Sequence, residues 1–401
     1  MHWPPAGQAA LAARHQAENA GRRPRSARQT LRLLLLRSLA PLRGQPTPAP
    51  PAGPPQRVLL IRPDHLGDLL FTTPALHRLR QAWPHAAITA LVGPWGQPIL
   101  ADHPALDQIL TLPFPGFTRQ PAANPWAPYR LLATEAARLR AGQFDLALIL
   151  RCDHWWGAWL ARRAHIPRRI GFAIPECIPF LTTAVPYNPQ RHEVEQNLAL
   201  VAAACGQLEM APAPLHFSAP PAAAAWAQAW LAGRSLADRP LVVLLPGAGA
   251  AVKLWRAEAW ADLARALQAR GANPLLAGGA GEVALAQAIN ACLPEPLPSA
   301  VGETSLGQLA ALLQRSALAI GLDSGPMHLA AALGVPTIHL YGPVSAASFG
   351  PWGDPARHRV ITSAWACLPC NRLDFRPDEL PLHPCVRAIT VSQVLAALPA
   401  A

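Results

Sequence analysis

The chain has 401 residues, 51% of them apolar, with 46 prolines and a formal net charge of +11, enough material for two or three domains of ~100 to 200 residues. No stretch approaches the ~18 to 20 uninterrupted apolar residues of a membrane-spanning helix, so the composition reads as soluble or membrane-peripheral. Eight arginines against the single acid Glu18 place most of the charge in the first 56 residues, leaving a body of about +4, too weak to argue for nucleic-acid binding.

In chain order, that N-terminal tail (1–56) holds "QTLRLLLLRSLAPLR", an apolar run flanked by arginines, followed by the proline-rich "GQPTPAPPAGPPQ". It lacks the small-residue cleavage site of a secretory signal. It reads either as a helix lying on anionic lipid with a tether behind it or as a disordered tail. Next comes "RVLLIRPDHLGDLLFTTPAL", in which Arg57 to Ile61 suits a buried parallel strand and apolar residues recur at helical spacing from about Leu66. "AAITALVG" and "DQILTLP" predict strands, "PYRLLATEAARLRAGQ" a helix, "FDLALILR" a buried strand, and "RHEVEQNLALVAAACG" a helix stopped by Gly206. The proline-rich, aperiodic segment 207–225 marks a domain boundary, giving expected domains 57–212 and 213–401. A second alternation follows: strand "LVVLLPG", helix "EAWADLARALQARG", strand "NPLLAGG", helices "EVALAQAINACL" and "SLGQLAALLQRS", strand "ALAIGL", helix "GPMHLAAALG" and strand "PTIHLYG". Two such alternations predict an α/β protein of two doubly wound sheets, whose ligands bind beyond the carboxyl ends of the strands.

Three loops at such ends carry candidate chemistry. In "RPDHLGDLL", Gly67 permits a tight turn and Asp68 enters the first turn of a helix, where a carboxylate serves either the helix dipole or as a general base. Asp64 and His65, neighbours in the same loop, could serve instead; together with Arg151 they are candidates for binding an acceptor. In "LLPGAGAAVKLW", Lys253 is the only lysine of the chain. The loop is neither a P-loop nor a dinucleotide fingerprint, because Val252 and Leu254 occupy positions that a Walker sequence reserves for glycine and Ser or Thr. What remains is Gly247 in a small-residue turn and one compact ammonium, suited to an anion. In "GLDSGPMHLAAALG", Ser324 stands at a helix N-cap and Pro326 in the first turn, with His328 close behind. Seven cysteines in a large chain without an export signal read as reduced thiols. Cys367, Cys370, His383 and Cys385 have the residue types of a Cys3His zinc site, but a single CxxC favours free or packed thiols.

These loops, in order and spacing, resemble the signature segments of glycosyltransferase family 9, the ADP-heptose:lipopolysaccharide heptosyltransferases, over about residues 57–395. "FDLALILR", "PRRIGF", "HEVEQNLALVAAACG" and the late Cys-x2-Cys agree with this, and Asp-Ser-Gly-x-x-His-Leu-Ala-Ala-Ala-Leu-Gly is the most specific piece. The resemblance implies a GT-B fold of two Rossmann-like domains facing across a cleft. It implies transfer of heptose from an ADP-sugar to the lipopolysaccharide core, with inversion and no obligatory metal or other cofactor, by an enzyme of the cytoplasmic side. Position by position, Asp68 matches the catalytic base and Lys253 the lysine near the donor phosphates. Asp323, Ser324, Gly325 and His328 match the donor loop, and Glu282 an acid that holds the nucleotide ribose. Gly249 stands where the family usually has Ser or Thr, Ser324 where threonine is commoner, and Arg256 where proline is frequent. Partners implied are an ADP-sugar and an anionic glycolipid, with the basic tail as a peripheral membrane contact. A sugar-nucleotide 2-epimerase of the same fold and a non-catalytic membrane-surface protein rank behind the transferase.

Overall fold

A computed structural model of the chain describes residues 53–118, 124, 126–365, 367–376, 378–380 and 383–399. The proposed membrane-binding tail lies outside them, apart from its last four residues. The described residues form two compact units, the first ending at His216 and the second beginning at Phe217.

The first unit is built on a six-stranded sheet: β1 (Arg57–Arg62), β2 (Ala87–Val92), β3 (Gln108–Thr111), β4 (Leu146–Ile149), β5 (Arg168–Phe172) and β6 (Thr183–Val185), in the order β3-β2-β1-β4-β5-β6. Every pairing is parallel. β1 and β4 are buried on both faces, which is why they read as continuous apolar runs rather than alternating ones. The order reverses between β1 and β4, so the loops leaving Arg62 and Ile149 open on the same switch point, where a doubly wound sheet leaves a crevice. The helical spacing from Leu66 resolves into two helices, Leu66–Leu70 and Thr73–Ala82. Pro74 in the first turn of the second lacks the N–H that a continuous helix would need there. The helix Glu193–Cys205 opens on a capping box between His192 and Glu195 and closes on Gly206, whose φ of 69° is the left-handed conformation glycine adopts without strain. This fixes Glu193 and Asn197, one turn apart on the helix, against β1.

The second unit carries β7 (Leu241–Leu245), β8 (Asn273–Leu276), β9 (Leu318–Leu322), β10 (Thr337–Tyr341) and β11 (His358–Thr362), again all parallel, in the order β11-β10-β9-β7-β8. Its switch point lies between β7 and β9, from whose ends the Lys253 and Asp323 loops depart. Leu244, Trp260, Leu263, Ile320 and Leu340 anchor its core. Elements not expected from the sequence include the helices Gln97–Leu100, Trp155–Arg163, Pro221–Ala232, Ala346–Phe349 and Val391–Ala396 and the strands β5, β6 and β11. No helix among the described residues is long and apolar enough to cross a membrane.

Candidate active site

In the first unit, the loop after β1 converges on a buried guanidinium. Arg62, the last residue of the strand, is almost wholly buried and forms ion pairs with Asp64 at 2.7 Å, Glu193 at 2.8 Å and Asp68 at 3.3 Å. It also donates to the carbonyl of Leu150 at 2.9 Å, tying β1 to the end of β4. Arg151, leaving β4, closes the group by pairing with Asp64 through Nη1 and with Asp153 at 2.6 Å. Three carboxylates, those of Asp64, Asp68 and Glu193, thus share two guanidiniums, and the environments of the first two diverge. Burial opposes ionisation of Asp64, but Arg62 and Arg151 together hold it below its ordinary range. Asp68 is pushed up to about 7 by burial and by the neighbouring charge of Asp64, with Arg62 opposing. Since its side chain keeps 36% of its surface exposed, Asp68 is the carboxylate that can both meet a ligand and exchange a proton near neutral pH.

His65 is exposed beside the ring of Trp95, 5.0 Å between centroids. Behind Arg151, His154 is buried among Phe114, Phe117 and Trp156, and neither ring nitrogen has a hydrogen-bond partner among the described residues. Burial holds this imidazole neutral, at about 4. Arg62 and Glu193 were not singled out as site residues from the sequence. The one available signal was a basic residue ending an otherwise apolar strand directly before Pro63-Asp64.

In the second unit, β7 ends at Leu245 and the chain passes through Pro246 and Gly247 to the short 3-10 turn Ala251–Lys253. The Lys253 ammonium lies 2.6 Å from Asp323, at the end of β9, and both side chains are largely buried. Burial raises Asp323, while His328 and Lys253 lower it to a net value of about 2. Because His328 Nε2 is 3.7 Å away, too long for a full hydrogen bond, we assign most of the lowering to the ammonium. Ser324 precedes the helix Gly325–Ala332 in the N-cap position expected, but its hydroxyl makes no capping bond; Oγ is buried without a partner among the described residues. The capping role read from sequence is therefore not the one observed. His328 is buried in the first turn of that helix. Glu282 accepts from the N–H of Gly279, and a Cβ on Gly247 would lie 2.5 Å from its side chain, so Gly247 leaves room for this carboxylate beside the end of β7.

Cys367, Cys370 and Cys385 are buried and form no disulfide. Burial and the other two sulfurs push Cys385 up to about 12. His383 stacks on Phe375 at 3.8 Å between centroids. Among the described residues, no group of three or more His, Cys, Asp or Glu side chains is arranged to hold a metal ion.

A family model described as glycosyltransferase family 9 (heptosyltransferase) matches residues 134–375. The chain belongs to glycosyltransferase family 9. Within it, the chain is 28% identical over 342 residues to lipopolysaccharide heptosyltransferase 1 of Pseudomonas aeruginosa, covering 80% of this chain and 89% of that protein. It is 27% identical over 299 residues to lipopolysaccharide heptosyltransferase 3 of Escherichia coli K12, covering 71% and 82%. Among solved structures, the family 9 glycosyltransferase of Veillonella parvula superposes with a TM-score of 0.70 at 24% identity, covering 85% of this chain and 95% of that one. E. coli ADP-heptose lipopolysaccharide heptosyltransferase II gives 0.67 at 23%, covering 85% and 96%. The family 9 fold is GT-B, and the two parallel-sheet Rossmann-like units described above are its two halves.

Proposed function

We propose that this family 9 enzyme transfers a heptose, with inversion, from ADP-heptose to the core of lipopolysaccharide or a related envelope glycolipid, at the cytoplasmic face of the membrane. The first unit (57–212 by composition) takes the acceptor and the second (213–401) the nucleotide-sugar. The observation that carries the chemistry is the geometry of Asp68, a carboxylate that keeps 36% of its surface exposed while held 3.3 Å from the buried Arg62 guanidinium, with burial and Asp64 pushing it up towards neutrality. The relatives named as heptosyltransferases support the sugar and the acceptor, and family membership favours transfer over epimerisation or binding without catalysis.

The reaction is a single displacement. Asp68 accepts the proton of an acceptor hydroxyl as that oxygen bonds to the anomeric carbon, and the bond from that carbon to the diphosphate oxygen breaks on the opposite face, releasing ADP. Arg62 holds Asp68 and balances its charge, while Asp64 and Arg151 border the acceptor. Negative charge growing on the leaving diphosphate is met by Lys253, which Asp323 holds in place, and by the helix N-terminus after Ser324. The Ser324 hydroxyl, without a partner among the described residues, supplies the hydroxyl contact that Gly249 cannot. Glu282 takes the ribose, and Gly325 and His328 complete the donor loop.

The test is a product assay: purified enzyme, ADP-heptose and core-truncated lipopolysaccharide, with ADP release and the mass of the glycolipid both measured. A glycolipid gaining one heptose per ADP released supports the reading. Free sugar released without acceptor contradicts it.

A further inference from the structure

Two helices of the first unit, Ala127–Ala141 and Trp155–Arg163, carry a continuous row of rings. Trp126 lies 6.1 Å from Tyr129, Tyr129 6.0 Å from Trp159, and Trp159 5.9 Å from Phe180 and 6.3 Å from Trp155, centroid to centroid. Such a row would usually be core. Here the end formed by Trp126 and Tyr129 faces water, at 67% and 46% exposed, and Ile178, on the turn that carries Phe180 beyond the other end, is 47% exposed. These are three of the seven large apolar side chains exposed among the described residues, and all three lie on the elements that carry the row.

Charge follows the same elements. The two helices hold Arg130, Arg138, Arg140, Arg162 and Arg163 against the single acid Glu135, a surplus of four positive charges. Glu176 on the adjoining turn reduces it to three. The whole chain beyond residue 56 carries a surplus of only four, so the rest of the body is nearly neutral. Arg162 bonds the carbonyl of Pro179 at 2.7 Å, tying the helix to the Ile178 turn, and Arg130 is exposed next to Tyr129.

We infer that this face docks the enzyme on a membrane surface rich in anionic lipid. Tryptophan and tyrosine settle at the headgroup level, where ring and polar edge are both satisfied, and Arg130 beside them and the arginines further along the same helices are drawn to negative headgroups. Exposed rings without the arginine surplus would suit a protein partner equally well; the surplus favours an anionic lipid surface. The inference uses the proposed function only for its purpose, a lipid-linked acceptor, and is tested without one.

The full-length protein is mixed with phosphatidylcholine vesicles with and without phosphatidylglycerol, and binding is read by co-sedimentation and by quenching of tryptophan fluorescence with brominated lipid. Wild type is expected to bind the anionic vesicles, with Trp126→Phe losing part of the quenching. Trp126→Ala with Tyr129→Ala should weaken partitioning about tenfold or more. Arg130→Glu, an exposed change that leaves the core untouched, should weaken it about fivefold or more, with the deficit shrinking as salt rises. Turnover on a soluble acceptor stays at the wild-type level in all three. Unchanged vesicle binding in the aromatic and Arg130 variants overturns the inference, because docking then resides elsewhere, as in the arginine-rich tail. Loss of soluble turnover with vesicle binding intact overturns it in favour of an acceptor-sugar platform, and loss only of a dimer in light scattering overturns it in favour of a second copy of the chain.

Discussion

Replacing Lys253 by alanine should do more than remove a phosphate contact, because in the unliganded protein its ammonium already has a partner. At 2.6 Å from Asp323 the gross attraction is about 6 kcal/mol at an effective dielectric of ~20. Desolvation of two largely buried groups offsets much of this, but removing one partner leaves the other charge stranded, typically at a cost of ~3 to 5 kcal/mol. Thermal unfolding should therefore fall by about 10 °C in Lys253→Ala. In Lys253→Met with Asp323→Asn, where neither charge remains, it should recover most of the way. Asp323 is held at about 2, below its ordinary 3.8, so the pair's contribution is fully present above pH ~4 and is lost as pH falls towards 2. Nucleotide binding follows the same logic. Lys253→Ala loses a charge-assisted bond worth ~1.5 to 3 kcal/mol and leaves a bare carboxylate near the diphosphate, so ADP should bind ~100-fold or more weakly in a calorimetric titration. Asp323→Asn added to Lys253→Ala should restore about tenfold of that. Wild-type ADP affinity in Lys253→Ala would refute the donor role, and strictly additive stability losses in the double variant would refute the pairing.

Three further outcomes are expected. With Asp68 at about 7, kcat/KM should fall about tenfold per pH unit below that value, and Asp64→Asn, by removing the charge that raises Asp68, should move this limb to lower pH in a pH–rate profile. Arg62→Leu strands Glu193 and leaves Asp64 to Arg151 alone, and should lower stability by ~3 to 5 kcal/mol in urea unfolding, with Arg62→Lys intermediate, because one ammonium cannot span three carboxylates. Gly247→Ala should displace Glu282 without disturbing the fold: calorimetry should show an ADP affinity reduced as far as in Glu282→Ala, with no further loss in the double variant.

The sequence made the sheet-forming runs legible because parallel strands buried on both faces, such as "VLLI", "LALI" and "LVVLL", have no competing explanation. It concealed β11, whose "HRVIT" alternates at a sheet edge, and β5, which opens on two arginines. The helix Pro221–Ala232 was hidden because alanine on every face gives no period. Asp68 and the Lys253 and Asp323 loops were legible because turn residues and strand ends mark them. Arg62 was not, because Glu193 and Asn197 come to it from 131 and 135 residues away, and no local pattern encodes that meeting. Ser324 shows the opposite failure: its position is the N-cap one, yet its hydroxyl makes no cap, so a local rule gave the right place and the wrong bond.

The central claim, that Asp68 is the base of a sugar transfer, is tested most directly by acceptor-dependent ADP release from ADP-heptose in wild type and Asp68→Asn, with ADP affinity measured alongside. A general base typically contributes ~10²- to 10⁴-fold, so turnover should fall by that factor while ADP binding stays within about twofold. Wild-type turnover in Asp68→Asn would contradict the account.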